Sequence, residues 1–472
     1  MSNSRRSFLK KSGLTGMGLT AGMFAAFASD EDALDQIKEQ AQRNPAPIFN
    51  MSGYAAPKLE KVRLGVVGVG NRGFDAVARM SKIEGVEIKA LCDLRPERLK
   101  LAKDLVTPLG HKPDLYHTDP EAWKKLCERK DLDLIYILTP WALHTPIAVF
   151  SMEHNKHVCV EVPAGKSLEE LWSLVLTSER TQKHCMMVEN CCYDFFEMTT
   201  LNMARQGFFG DIIHCEGSYI HNLTEYMFSK EHFYQMWELK EAFQRKGNLY
   251  PTHGLGPLCQ VMNINRGDAM DFLVSVSSND FVLGPMAKSL ASKDSFYKPF
   301  EGKSYNGNMN TSTIKTKKGK TLMVQFDVSS PRPYTRIQLV SGTKAVALKY
   351  PEPGRYATSH EWMTENEVKE LEEKYKPAIV KKIGEVAKQV GGHGGMDFFM
   401  DWRTIDCLRN GLPLDQDVYD AALWSSISPL SVWSVANQST SIKVPDFTRG
   451  HWKSNSPVDI SLSKGGTTGV LV

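Results

Sequence analysis

Beyond its first 28 residues the sequence has no uncharged apolar run of about eighteen residues, so no membrane span is expected in the mature chain. No cysteine–histidine spacing resembles a zinc site, and the expected metal content is none. A disulfide framework is missing too. The nine cysteines are an odd number, Cys92, Cys159 and Cys185 fall on apparent core strands, and Cys191 adjoins Cys192, which reads as buried thiols. Charge of one sign is not in excess. The formal net charge is +3, and the first 28 residues carry Arg5, Arg6, Lys10 and Lys11 with no acid, so their loss takes it to −1. That balance gives no reason to expect a polyanion partner, nucleic acid included. There is no internal repeat and no low-complexity block. What is present, 472 residues of which 42% are hydrophobic and 24% charged, is enough for two domains with substantial cores.

The first 28 residues read as an address. Ser4-Arg5-Arg6-Ser7-Phe8-Leu9-Lys10 is a twin-arginine pattern, and a weakly apolar, Gly-rich stretch runs from Gly13 to Phe27. Ala26-Phe27-Ala28 is a small-x-small cleavage site, leaving Ser29 as the new N-terminus. The expected partner is the twin-arginine export machinery, and the expected location is periplasmic or secreted. That route carries folded proteins, which suits a cofactor loaded before export.

Residues 29–58 form a charged, then Pro- and Ala-containing lead-in. Over 59–190, apolar strands at 62–67, 86–92, 132–138, 157–162 and 184–189 alternate with helices at 72–83, 96–106, 144–153 and 168–182. This alternation predicts a doubly wound parallel sheet covered on both faces. Over 191–455 a helix at 195–206 leads into period-two strands at 212–219, 271–278, 312–317, 321–328 and 336–348, followed by helices at 396–409 and 418–436. Lys317-Lys318-Gly319-Lys320 reads as a hairpin turn. The expected fold is α/β: an N-terminal Rossmann sheet, a C-terminal α+β substrate domain with an open, mainly antiparallel sheet, and a tail at 456–472.

Gly68-Val69-Gly70-Asn71-Arg72-Gly73 directly follows the first strand and opens the first helix. In that setting it is a dinucleotide fingerprint. Gly68 allows the tight turn, Gly70 lets a pyrophosphate approach the backbone, Gly73 lets helix and strand pack closely, and the helix N-terminus holds the phosphates. Asp93 lies twenty residues beyond Gly73, at the end of the second strand, where a carboxylate bonds the adenosine ribose hydroxyls and repels a 2′-phosphate. The expected cofactor is NAD rather than NADP, with Arg95 nearby as a residue that favours the latter. The loops from Thr139 to His144 and at Glu161-Val162-Pro163 leave the carboxyl ends of parallel strands, so both are expected at the nicotinamide end.

At these residues the chain resembles the Gfo/Idh/MocA group of sugar-active oxidoreductases, which join a Rossmann domain to an open-sheet substrate domain. That group commonly ends its fifth strand with Glu-Lys-Pro, the Lys assisting hydride transfer; here the middle residue is Val162. A narrower resemblance rests on Glu161-Val162-Pro163-Ala164, Glu189-Asn190-Cys191-Cys192-Tyr193, Asn248-Leu249-Tyr250-Pro251-Thr252-His253-Gly254, Asn263-Ile264-Asn265-Arg266-Gly267-Asp268, Gly394-Gly395-Met396-Asp397 and Pro445-Asp446-Phe447-Thr448-Arg449-Gly450. These segments are similar to glycoside hydrolase family 109, the NAD-dependent α-N-acetylgalactosaminidases, over about residues 61–452. The resemblance implies that Asn71, Arg72, Asp93, Trp141, Ala142, Leu143, His144, Glu161, Val162 and Asn190 contact NAD. It implies further that Tyr219, Tyr250, Pro251, Thr252, His253 and Tyr334 meet the sugar, with Tyr193, Tyr250 and His253 near the chemistry. One position departs from the pattern. The family places a substrate-contacting Arg about a dozen residues before the Tyr-Pro-Thr-His segment, where this chain has Glu238.

A conventional glycosidase needs two carboxylates across the scissile bond, and no such pair is marked in the sequence. With NAD another route opens. Hydride leaves sugar carbon 3, the resulting ketone acidifies the proton on carbon 2, a base removes it, the aglycone departs, water adds, and the hydride returns. NAD ends unchanged, which suits an exported protein. His253 is the candidate for proton transfer at the carbon 3 hydroxyl, since imidazole serves this role near neutral pH. Tyr193 and Tyr250 are candidates for the carbon 2 proton or the leaving group, in an order the sequence leaves open, with core packing the plain alternative for each. Trp141 either stacks on a ligand or plugs the domain interface, His393 is a ligand or a turn residue, and Asp397 reads as a helix cap or first-turn charge. Two other functions stay open: a sugar oxidoreductase with tightly bound NAD(P), and a non-catalytic sugar-binding protein. A homo-oligomer is compatible with all three.

Overall fold

The computed structural model describes residues 30–471 except residue 244. The twin-arginine pattern and its cleavage site lie outside the described residues. Helix α1 (Asp30–Ala41) precedes a sheet built from β1 (Val62–Val67), α2 (Asn71–Met80), β2 (Val86–Cys92), α3 (Pro96–Val106), β3 (Asp114–Tyr116), α4 (Ala122–Cys127), β4 (Leu134–Ile137), α5 (His144–Glu153), β5 (His157–Val160), α6 (Leu168–Thr181) and β6 (Cys185–Met187). Its six strands pair in parallel in the order β3-β2-β1-β4-β5-β6. The order reverses between β1 and β4, so a crevice opens beyond their carboxyl ends. Every residue of β4 and β5 is buried, as a sheet covered on both faces requires. β3 and α4 went unread in the sequence because each is a short element with only part of its surface covered.

After α7 (Phe195–Arg205), a second sheet assembles from β7 (Ile212–Ile220), β8 (Met270–Ser277), β9 (Asn310–Thr316), β10 (Thr321–Asp327), β11 (Leu339–Gly342), β12 (Val346–Leu348), β13 (Arg355–Ala357) and β14 (Ile442–Lys443). Its order is β13-β12-β11-β7-β10-β9-β8-β14, antiparallel throughout except for the pair β7 and β10. The helices of this half are α8 (Thr224–Met227), α9 (Trp237–Glu241), α10 (Thr252–Val261), α11 (Leu283–Lys293), α12 (Glu365–Tyr375), α13 (Ala378–Val390), α14 (Met396–Asn410) and α15 (Val418–Ala436). Lys317 to Lys320 make the β9–β10 hairpin, with Gly319 at φ +86°. The expected strand at 336–348 is instead two strands, β11 and β12, which fold back on each other with Leu339 opposite Leu348.

One contact shapes the second half beside the crevice, and two helices then lock the halves together. α10 lies directly on β7 because both are glycine at the crossing, where a Cβ on Gly217 would stand 2.1 Å from the Gly254 carbonyl oxygen. α15 is buried along most of its length, and its serines accept backbone N–H groups from three segments: Ser425 from Ala164, Ser431 from Asn248 and Ser434 from Ser275. α14 packs on the first sheet, where Asp401 accepts from Arg79 at 2.8 Å and from the Tyr136 hydroxyl at 2.9 Å. The C-terminal tail docks there too, with backbone N–H groups of Gly466, Thr467 and Thr468 donating to Asp406.

Candidate active site

A cavity of about 890 Å³ runs from the carboxyl ends of β1, β2, β4 and β5 to the α10 side of the second sheet. At its first end the three glycines do separable work. Gly68 takes φ +90° and leaves no room beside Leu138, whose carbonyl oxygen would lie 2.5 Å from a Cβ. A Cβ on Gly73 would meet the Gly68 carbonyl oxygen at 2.0 Å, so this glycine serves helix–strand packing. Gly70 has only the Arg95 guanidinium near its missing Cβ, at 3.3 Å, and therefore presents bare backbone to the cavity. Gly70 is also the N-cap of α2 and gives it no side-chain cap, leaving the first-turn N–H groups for an anion. Asp93 accepts from the Val69 N–H at 2.7 Å and from Arg95 through its backbone N–H at 2.9 Å and Nε at 3.2 Å. A bare glycine cradle, an uncapped helix N-terminus and a carboxylate at the end of β2 fit the pyrophosphate and ribose of NAD.

Next along the cavity, Arg72 donates from Nε to Glu161 at 2.6 Å and from Nη1 to Asp397 at 2.6 Å. Asp397 also accepts from Asn190 at 2.6 Å and faces His393 Nδ1 at 2.8 Å. Of the two roles expected of it, it takes the first-turn charge and not the cap, which is Gly395, and it is a buried junction tying α14 to the cofactor loops. Burial opposes its charge, but Arg72 and the bond from His393 hold its carboxyl well below the usual range. His144 is buried with both ring nitrogens on loop carbonyls, Nδ1 at Pro163 and Nε2 at Thr139, each at 2.7 Å. It thereby fixes the loops after β4 and β5 to each other, and Val162 and Leu143 line the cavity beside it.

At the opposite end of the cavity His253, in the first turn of α10, places Nδ1 2.6 Å from Oε1 of Glu189, a fully buried carboxylate just past β6. Burial alone would raise the Glu189 carboxyl; the His253 imidazole outweighs it and holds the group below the ordinary carboxylate value. With Nδ1 committed, Nε2 is the nitrogen left for ligand chemistry. Cys191 brings its sulfur within 4.8 Å of both partners, a spacing a metal ion could use. We read a carboxylate–imidazole pair, because the short bond already occupies Nδ1 and burial keeps the Cys191 thiol protonated. The Tyr250 ring stacks on Trp141 at 5.8 Å and stands 4.9 Å from both Tyr219 and His253. Burial raises its phenol well above the ordinary value, which keeps it a proton donor. Trp141 lines the cavity between Tyr250 and Trp237, serving as wall and interface together. Glu238 lies in the same wall, and burial pushes its carboxyl up to about 7.

The structure does not bring every expected residue to this cavity. Tyr193 is buried in the core, its hydroxyl donating to Asp415 at 3.3 Å and its ring beside Phe399 at 5.7 Å, and it is not part of the cavity wall. Pro251 and Thr252 are buried at the start of α10, behind His253. Tyr334 is not in the cavity wall; it stands 5.2 Å from His221, which is, and accepts from Arg336 at 2.9 Å. Sequence reasoning overlooked Glu189 and His221. Glu189 carried a usable signal, since an acid at the carboxyl end of a parallel strand belongs to the same crevice that singled out Glu161.

Comparison with known proteins agrees with this geometry. The family described as "Oxidoreductase family, NAD-binding Rossmann fold" matches residues 62–189, and "Glycosyl hydrolase 109, C-terminal domain" matches residues 193–454. The chain is 50% identical over 409 residues to an alpha-N-acetylgalactosaminidase of Bacteroides fragilis, covering 85% of this chain and 95% of that one. It is 47% identical over 413 residues to a glycosyl hydrolase family 109 protein of Porphyromonas gingivalis, covering 84% and 86%. Among solved structures, levoglucosan dehydrogenase in complex with NADH has a TM-score of 0.61 at 15% identity, covering 82% of this chain and 100% of that one. Scyllo-inositol dehydrogenase from Lactobacillus casei, with NAD(H) and scyllo-inositol bound, has a TM-score of 0.56 at 13% identity, covering 81% and 99%; both show the fold alone. With a Rossmann crevice fit for NAD, a His253–Glu189 pair opposite it and half-identical relatives over most of its length, the chain belongs to glycosyl hydrolase family 109.

Proposed function

We propose that this protein is an exported, NAD-dependent glycosidase that cleaves glycosides of N-acetylgalactosamine or a related sugar by oxidation, elimination, addition and reduction. The observation that carries the reading is the Glu189–His253 pair, opposite a strand-five loop that has Val162 at the position where the oxidoreductase group carries its lysine. Gly70, Asn71, Arg72, Asp93 and the loops at Trp141–Leu143 and Glu161 would hold the cofactor. When bound, NAD supplies a hydride acceptor and donor, so sugar carbon 3 can be oxidised and then restored. Everything else falls to the protein. His253 takes the proton of the carbon 3 hydroxyl at Nε2, and Glu189 fixes its tautomer and stabilises the imidazolium that results. Tyr250, kept protonated by burial, gives its proton to the departing oxygen as it takes the one released from carbon 2, so the elimination balances at this side chain. Trp141, Trp237 and Tyr219 wall the cavity with aromatic surface that excludes bulk water and offers stacking faces to a sugar. Export rests on the twin-arginine pattern at Arg5-Arg6.

The test is to incubate the NAD-loaded protein with aryl glycosides of N-acetylgalactosamine, N-acetylglucosamine, galactose and their amino analogues in both anomers. Release of the aryl alcohol without net NADH is expected for at least one. Stoichiometric NADH with the glycosidic bond intact would make the protein an oxidoreductase instead.

A further inference from the structure

The other recessed charged groups of the cavity wall are answered by a neighbour. Arg72 is shared by Glu161 and Asp397, Asp93 holds Arg95, and Glu241 holds Lys166 and Arg245. Glu238 differs: it has no hydrogen-bond or ion-pair partner among the described residues, although it is half-buried in the same wall. Its helix α9 is anchored on both sides, by fully buried Leu239 and by Trp237, which packs edge-on against Trp141 at 5.4 Å. Glu238 shares the cavity wall with Tyr219, Tyr250 and His253. After burial itself, the Glu238 charge is the first influence that raises the Tyr219 phenol, and it acts on Tyr250 as well. A recessed carboxyl without a donor or cation is costly to keep in a folded protein unless the ligand supplies the missing partner.

The chemistry of the 2-substituent decides which ligand fits. An acetamide offers one N–H and a carbonyl oxygen, which the ionised form of Glu238 repels. An ammonium offers three donors and the opposite charge, and charge-assisted bonds are the stronger kind. We propose that Glu238 sets the specificity of this site, selecting glycosides of an unacetylated 2-amino sugar, whose ammonium it pairs, over the corresponding N-acetyl glycosides. This rests on the glycosidase reading above and narrows its substrate class.

The experiment compares kcat/KM for a galactosamine and an N-acetylgalactosamine aryl glycoside with the same aglycone, in the NAD-loaded wild type and in Glu238→Gln. The amine is expected to lead by at least about tenfold in the wild type, and the amine-to-acetamide ratio to fall by about 10- to 100-fold in the variant, the range for losing one hydrogen bond to a charged group. Calorimetric binding of free galactosamine and N-acetylgalactosamine to the NAD-loaded wild type reads the same preference without turnover. If neither glycoside is cleaved while galactosamine still binds more tightly, the hydrolase reading fails and the role of Glu238 stands. A wild type that binds the acetamide as tightly as the amine, or a ratio unmoved by Glu238→Gln, overturns the proposal.

Discussion

Replacing Glu189 with Gln keeps the shape of the side chain and removes its charge, which isolates what the carboxylate does for His253. The bond to be lost is 2.6 Å long and its acceptor is fully buried. A hydrogen bond to a charged group contributes about 1.5–3 kcal/mol. If it orients the imidazole through the slow step, kcat falls by about 10- to 100-fold. The converse change is harsher on stability. His253→Ala leaves a buried carboxylate without its donor, which costs at least about 1.5–3 kcal/mol near neutral pH. The double variant removes both partners and should cost much less than the two single losses combined. The acid side carries a further signature. The folded pKa of Glu189 lies below its ordinary value of 4.5, so its stabilising contribution is complete above that value and fades as pH falls through the folded one. Glu189→Gln should remove that fading. The assays are denaturant unfolding of all four proteins with saturating NAD, and turnover of the best aryl glycoside. Stability losses that add within about 0.5 kcal/mol, together with wild-type turnover in Glu189→Gln, would refute the coupling.

Freshly purified protein should carry about one NAD per chain, and Asp93→Ala should weaken retention because Asp93 holds both the Val69 N–H and Arg95; chromatography of the denatured protein measures it, and a chain that neither carries nor binds NAD contradicts it. Tyr250→Phe should lower kcat at least about tenfold more than Tyr193→Phe, since only the Tyr250 ring faces the cavity. Equal losses would return Tyr193 to the chemistry. Glu238, with its carboxyl raised from 4.5 to about 7, binds its proton more tightly folded than unfolded, so the ligand-free protein should lose stability as pH rises through that window. The loss is at most about 3 kcal/mol, and Glu238→Gln should flatten it; an unchanged slope in unfolding midpoints would place Glu238 in solvent.

Much of the fold was legible because its signals are local. Short apolar strands alternating with helices marked the parallel sheet, and the glycine run at Gly68–Gly73 marked the crevice, since both follow from backbone sterics within a few residues. Legibility failed where one pattern ran through a break. Residues 336–348 kept an extended character across the turn between β11 and β12, so two strands read as one. The candidate site divided in the same way. His253 and Tyr250 stand together because four residues of one chain segment are enough to place them. Glu189 meets His253 across 64 positions, and Asp397 meets Arg72 across 325, pairings set by how α10 and α14 dock and by no spacing in the sequence. Tyr193 was misleading for a related reason: a tyrosine next to the crevice looks catalytic until Asp415, 222 positions away, is seen to hold its hydroxyl.

Hydrolysis in heavy water tests the proposed route most directly. Elimination requires that the proton on carbon 2 be removed and later replaced from solvent, so the released sugar should carry deuterium at carbon 2. Substrate deuterated at carbon 3 should keep that label, because the same hydride is returned, and NADH should not accumulate. Clean cleavage with no deuterium at carbon 2 would contradict the elimination route and point to a direct displacement between carboxylates.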